Sequence, residues 1–139
     1  MQAVDDQAAD SRLANISTRA TVGTGSDVLI GGFITGSKIG ATRVAIRALG
    51  PTLQQFGIVN PLPDPTLELR DANGALLASN DNWQSDPSQA ALITSYGLAP
   101  PNNLESAIAI SLAPGPYTAI VTGKNGQTGI GLVEIYDEQ

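Results

Sequence analysis

Apolar and polar positions alternate along most of this chain with a period of two, in short runs punctuated by Gly, Pro, Asn and Asp. Alternation of that kind puts successive side chains on opposite faces of a strand, and short runs at regular spacing predict a sandwich or barrel. Nine runs stand out, at 13–21, 27–35, 42–49, 66–70, 75–79, 88–96, 104–112, 117–123 and 130–136. In the first, Ala14, Ile16, Thr18 and Ala20 form a thin apolar face opposite Asn15, Ser17 and Arg19. In the third, Val44, Ile46 and Ala48 oppose Arg43, Ala45 and Arg47. The phasing predicts that Leu67, Leu69, Val44, Ile46, Ile108, Ile110, Val121 and Val133 point inward and meet across two packed sheets. The run at 88–96 reads instead as a short helix with Ala91, Leu92 and Tyr96 inside, capped by Ser88 or by Asp86 with Pro87 at its first position.

The breaks between runs carry their own chemistry. Asn73-Gly74 between two β-type runs is a strong hairpin signal, with Gly74 expected at positive φ. Residues 23–26 are short enough to turn the first run into a hairpin with the second. Gly31-Gly32 inside the second run marks a bulge or a close backbone approach and is expected to bend the strand. Residues 51–65 hold four prolines with Leu53, Phe56, Ile58, Val59 and Leu62, which predicts a packed loop, with room for a helical turn, over one end of the core. Asn125-Gly126 is expected to open a last hairpin, making the final three strands a meander. The resulting fold is an all-β, two-sheet antiparallel sandwich, jelly-roll-like, with about nine strands and one short helix near 88–96. Residues 1–11 read as a flexible lead and 12–139 as one domain, the size a single core can support.

Composition removes several functions. The net charge is −6 over 139 residues, and the seven Lys and Arg are scattered, so no basic face exists for nucleic acid or an anionic membrane. No apolar stretch nears the ~20 residues of a spanning helix, so no membrane insertion is expected. The chain has no Cys and no His. Histidine-based triads, cysteine nucleophiles and the usual zinc sites are therefore excluded, and no disulfide framework holds the fold. Two Lys, abundant Thr, Asn, Gly and Ala, and a polar start favour an extracellular or cell-surface protein whose signal peptide has been removed.

Particular strings also carry a resemblance. Arg12-Leu13-Ala14-Asn15-Ile16-Ser17-Thr18-Arg19, Leu29-Ile30-Gly31-Gly32-Phe33-Ile34, Ile46-Arg47-Ala48-Leu49-Gly50-Pro51, Asn80-Asp81-Asn82-Trp83 and Pro114-Gly115-Pro116-Tyr117 occur in order. With them the chain resembles an uncharacterised β-rich module of large secreted proteins of environmental bacteria, a family that implies no activity or site. More loosely it is similar to the β-sandwich domains that trail secreted bacterial peptidases. That second likeness implies a role in calcium binding or in holding insoluble substrate.

What remains for chemistry is carboxylate and amide oxygen. A glycosidase needs two carboxyls across a cleft, but Glu68, Glu105 and Glu134 all lie in strand runs, where a solvated or Arg-paired role suffices. An enzyme is not expected. Asp64, Asp71, Asn73, Asn80, Asp81, Asn82 and Asp86 form the densest polar set, and Asp71, Asn73, Asp81 and Asp86 are the candidate ligands for a calcium ion. Their spacing fits no EF-hand loop, and turn-local hydrogen bonding accounts for the same residues. Trp83 in the polar loop would stack on a glycan if exposed, but a lone loop Trp more often caps a core, and that is the preferred reading. Arg43 or Arg47 is expected to meet a Glu across the sheet. The function expected is a non-catalytic structural or adhesive module whose partners are other protein chains. These include copies of itself joined through the first strand, where Ile16 and Arg19 are the interface candidates. A calcium- or carbohydrate-binding module is the alternative.

Overall fold

The hairpin at Asn73-Gly74 is the closed end from which the whole topology unfolds. The computed structural model describes residues 16–36 and 40–138. These form β1 (Ile16–Val22), β2 (Leu29–Thr35), β3 (Thr42–Leu49), β4 (Pro65–Asp71), β5 (Leu76–Asn80), β6 (Ser106–Leu112), β7 (Gly115–Gly123) and β8 (Gly129–Asp137). One helix, α1 (Pro87–Ser95), joins β5 to β6, and 3-10 turns occupy Pro51–Phe56 and Lys124–Gly126. The strands number eight among the described residues because the run at 88–96 is the helix. The expected lead at 1–11, its boundary at 12 and the start of the first run lie outside the described residues.

Strand β1 pairs with β8, β2 with β7, β3 with β6 and β4 with β5, every pair antiparallel. The chain is thus a long two-stranded ribbon, closed at the β4–β5 turn and folded so that successive pairs fall in alternate sheets. The sheets have orders β1-β8-β3-β6 (sheet A) and β2-β7-β4-β5 (sheet B), which is the jelly roll. At the closed end Gly74 has φ +81°, and Asp71 Oδ1 accepts from the backbone of Asn73 at 2.9 Å and Ala75 at 3.0 Å.

Two expected local pairings are not formed. Residues 23–26 turn the chain, but β1 lies in sheet A and β2 in sheet B, so they make no hairpin. The last three strands are likewise no meander, since β6 and β8 flank β3 while β7 sits between β2 and β4. Asn125 and Gly126 do turn sharply, with φ of 57° and 76°, yet the strands they join belong to different sheets. A turn's chemistry dictates that the chain reverses, not whether it returns beside itself or crosses the core.

The inward phasing holds. Seven of the eight expected core residues are exposed by 3% or less, and Ile110 packs against them with part of its surface free. Each such side chain contributes roughly 1.5–3 kcal/mol of burial. The Gly31-Gly32 pair does not bend β2, whose register with β7 runs unbroken from Leu29 to Thr35. A Cβ on Gly31 would lie 3.2 Å from Val133 Cγ1 and 3.4 Å from Ile135 Cδ1, so glycine here lets the two sheets approach.

A second, smaller core covers half of the outer face of sheet A. Trp83, Ile93 and Leu98 pack there on Ala45, Ala107, Ala109 and Tyr136. Helix α1 is capped by Asp86, which accepts from the amides of Ser88 and Gln89, with Pro87 in the first turn. It turns Ala90, Ile93 and Tyr96 inward, whereas Leu92 is 38% exposed and Ala91 faces solvent. Of the expected inner stripe Tyr96 is inside, but Ala91 and Leu92 give way to Ala90 and Ile93, because apolar residues at 90–93 run consecutively and periodicity does not select among them. Gln89 Oε1 accepts from Ala109 N at 2.9 Å and its Nε2 donates to Ala109 O at 3.0 Å. Asn80 Oδ1 takes Ala107 N at 3.0 Å. Two side-chain amides thus stand where a further strand would pair with the β6 edge.

Candidate binding surface

Of the four residues proposed as calcium ligands, Asp81 and Asp86 border one hollow with Asn80, but Asp71 and Asn73 do not reach it. Asp71 and Asn73 are at the tip of the β4–β5 hairpin, while Asp81 follows Asn80, which pairs with Leu67 toward the other end. At about 3.3 Å per residue the two places are roughly 15 Å apart or more, too far to share an ion. Asp86 spends Oδ1 on Ser88 N at 3.0 Å, Ser88 Oγ at 2.9 Å and Gln89 N at 3.3 Å, and the Ser88 hydroxyl holds its carboxyl below the usual range. Asp81 is ion-paired with Lys124, which raises the lysine pKa. Asp64 lies beside Asp81, and burial first, then the Asp81 charge, push its carboxyl up. No group of three or more acidic side chains among the described residues is placed to hold a metal.

Trp83 is 8% exposed and sits in the smaller core, so its ring faces are covered by protein and offer no platform to a sugar. The three glutamates lie in three environments. Glu68, on the outer face of sheet B, meets Arg70 at 3.0 Å. Glu134 lies directly opposite Arg47 on sheet A and accepts from its Nη2 at 2.6 Å and Nε at 2.9 Å. The Arg47 guanidinium also stacks 5.7 Å from the ring centroid of Tyr136, whose buried hydroxyl has a raised pKa. The expected Arg–Glu pair is therefore Arg47 with Glu134.

Glu105 is fully buried, which the sequence reading as a solvated or Arg-paired side chain did not anticipate. Its Oε2 accepts from the amides of Gly50 and Thr52, both at 2.9 Å, and its Oε1 from Thr52 Oγ1 at 2.7 Å and Asn102 N at 3.2 Å. The 3-10 turn at 51–56 begins with Gly50 as its cap, a residue with no side chain to satisfy the free amides of a first turn. Glu105 supplies that acceptor from 55 positions away. With one glutamate internal and two on opposite outer faces, these carboxyls form no catalytic pair.

The uncovered half of the outer face of sheet A holds a groove of about 690 Å³. Its floor is Leu49, Leu132 and the Arg47–Glu134 pair; Ser17 and Arg19 of β1 border one side, and Leu53, Phe56 and Pro101 the other. Leu53 is 4% exposed and anchors the 3-10 turn, whereas Phe56 is 73% exposed at the rim. Arg19 stands opposite Leu132 on the outward row of β1 and makes no ion pair among the described residues. Ile16, the other interface candidate, instead turns inward and packs against the main core. Phe56 was expected only to pack in a loop over the core, and its outward position depends on the turn geometry that Glu105 fixes.

No family model matches the chain, and no curated protein matches it. Among solved structures it is similar to the pre-peptidase C-terminal domain of a collagenase from Bacillus anthracis, with a TM-score of 0.53 at 14% identity. The match covers 88% of this chain and 89% of that one, so the sandwich is shared over nearly its full extent. That solved domain is of the kind to which the looser resemblance pointed.

Proposed function

We propose that this domain is a non-catalytic, extracellular adhesive or structural module that holds a larger protein to a partner surface. The observation that carries the reading is the groove on sheet A, which is lined by recognition groups on a rigid sheet face and contains one carboxylate already bound to Arg47. A single paired carboxylate suits binding and not acid–base chemistry. The fold likeness to a domain that accompanies a collagenase supports an accessory role, and α1, the one α-helix of the described residues, is too short to cross a membrane. The test is retention of a fluorescent fusion on insoluble proteins and polysaccharides, with product release followed in parallel. Retention without turnover is expected; turnover, or no retention on any material, would overturn the proposal.

Self-assembly is a second reading, favoured by the position of β1. Among the described residues that strand is outermost in sheet A and pairs with β8 alone, from Ile16 opposite Ile135 to Val22 opposite Gly129. A neighbour's strand could replace it or add beside it. Light scattering across micromolar concentrations tests this directly. A monomer throughout removes it, whereas assembly lost on deleting residues 1–21 and restored by a peptide of residues 13–21 supports it.

A further inference from the structure

We infer that the groove on sheet A docks an acidic polypeptide segment, one that presents a carboxylate beside an aromatic or large aliphatic side chain. The inference rests on the reading of the domain as a binding module and names the chemistry of its partner.

The charge balance of the groove selects the sign. The chain carries a net charge of −6, and the ion pairs among its described residues join Arg70 with Glu68, Lys124 with Asp81 and Arg47 with Glu134. Within the groove two guanidiniums, Arg19 and Arg47, face one carboxylate, Glu134, leaving an excess of one positive charge on Arg19. A guanidinium takes a carboxylate through two parallel N–H donors, and it gains from an apolar floor that lowers the local dielectric. Leu49 and Leu132 provide that floor.

The apolar half of the ligand follows from the opposite wall. Phe56, 73% exposed, stands on a turn anchored by Leu53 and held at its first amides by Glu105, so the backbone that carries the ring is in place before binding. Exposed aromatics are frequent anchors of interfaces. A small aromatic acid needs most of its surface enclosed, which a shallow groove with so exposed a rim does not provide. A polypeptide gains area on either side, and the groove is bordered by β1, whose other edge has no strand beside it among the described residues. A glycan fits less well, because the lining offers Ser17 and Thr52 but no side-chain amide, and the one tryptophan is buried.

The test is selection of phage-displayed random peptides on the immobilised domain at low salt, followed by titration of the synthetic winners. The selected sequences should carry Asp or Glu next to an aromatic or large aliphatic residue. Arg19→Glu and Phe56→Ser should each weaken binding at least about tenfold with unchanged melting temperature, since both side chains are exposed, and Arg19→Lys should lose less. Replacing the peptide carboxylate by its amide should also weaken binding, but less than Arg19→Glu, which adds carboxylate–carboxylate repulsion to the lost attraction. No selected peptide, winners without carboxylates, equal binding to Arg19→Glu, or a glycan array signal that Arg19→Glu abolishes would each overturn the assignment. If the fusion is still retained on surfaces while Arg19→Glu and Phe56→Ser have no effect, the groove assignment falls and the module reading stands. If nothing is retained, it is the module reading that falls.

Discussion

Replacing Glu105 by Ala tests the joint between the two halves of the ribbon. The substitution removes four hydrogen bonds at once, to the amides of Gly50, Thr52 and Asn102 and to the Thr52 hydroxyl. The hydroxyl can rotate and Asn102 can reach water, but the amides of Gly50 and Thr52 stay buried in a segment that is itself buried. An unsatisfied buried donor costs about 1–3 kcal/mol, so the two together cost about 2–6 kcal/mol before any cavity forms. Release of the wild-type carboxylate from its own desolvation offsets part of that. A net loss of about 3–5 kcal/mol is expected, a large share of the roughly 5–15 kcal/mol by which domains are stable. Glu105→Gln keeps one accepting oxygen and turns an amide donor toward the remaining donors, so it should lose about 1–3 kcal/mol. Urea unfolding followed by Trp83 fluorescence measures both, since Trp83 is the sole tryptophan and its backbone amide bonds to Glu105 O at 2.9 Å. An Ala variant within about 1 kcal/mol of wild type at unchanged slope would refute the reasoning, because buried donors cannot lose their acceptor so cheaply.

Gly74→Val should lower stability by about 1 kcal/mol or more in a thermal melt, the penalty being conformational because nothing lies within 4 Å of an added Cβ. Asp86 has a lowered carboxyl pKa through the Ser88 hydroxyl, so its stabilisation is present above the ordinary value of 3.8 and is lost as pH falls through the lowered one. The melting temperatures of wild type and Asp86→Ala should therefore differ at neutral pH and converge in acid. Gln89→Ala strips the amide from the Ala109 backbone and should cost about 1–2 kcal/mol, with more scattering on heating as the β6 edge opens. Calcium against chelator should leave the melting temperature unchanged, since Asp71 and Asn73 lie far from Asp81, Asp81 holds Lys124, and Asp86 caps α1. A rise of several degrees, as produced by a ligand at about a hundred times its dissociation constant, would contradict that.

The strands and their inward faces were legible because period-two alternation is a local property, and so was the Asn73-Gly74 turn, whose two strands pair directly. Topology was not. Only β4–β5 joins neighbours in sequence, while β1 meets β8 across the length of the chain, and nothing at 23–26 or 125–126 records which sheet the next strand enters. The Asp and Asn loops looked like one site because they are close in sequence, but a hairpin carries its tip away from its base. Glu105 was illegible for the same reason in reverse, as its partners lie around Gly50. A Gly-Pro-Thr start with no side-chain cap was the available hint that an acceptor had to come from elsewhere.

A sandwich of two open sheets has four edges, here β1, β6, β2 and β5, and each is a template for unwanted pairing. The protein closes β6 with Gln89 and Asn80, and β5 is only five residues long. Both guards sit on the same side, which leaves β1 and β2 as the edges without a side-chain amide over them among the described residues. Strand β1 is also sparing in apolar burial, with Val22 fully buried, Ile16 and Thr18 half-buried and Ala20 exposed, so its hold on β8 rests largely on the backbone ladder. The residues on its other face, Ser17 and Arg19, border the groove. The proposed recognition and the proposed assembly therefore depend on one strand: whichever chain supplies β1 to a sheet also supplies Arg19, which has no ion pair among the described residues. An exchange of β1 between copies would rebuild the groove from two chains, whereas loss of β1 would remove its charge along with the edge.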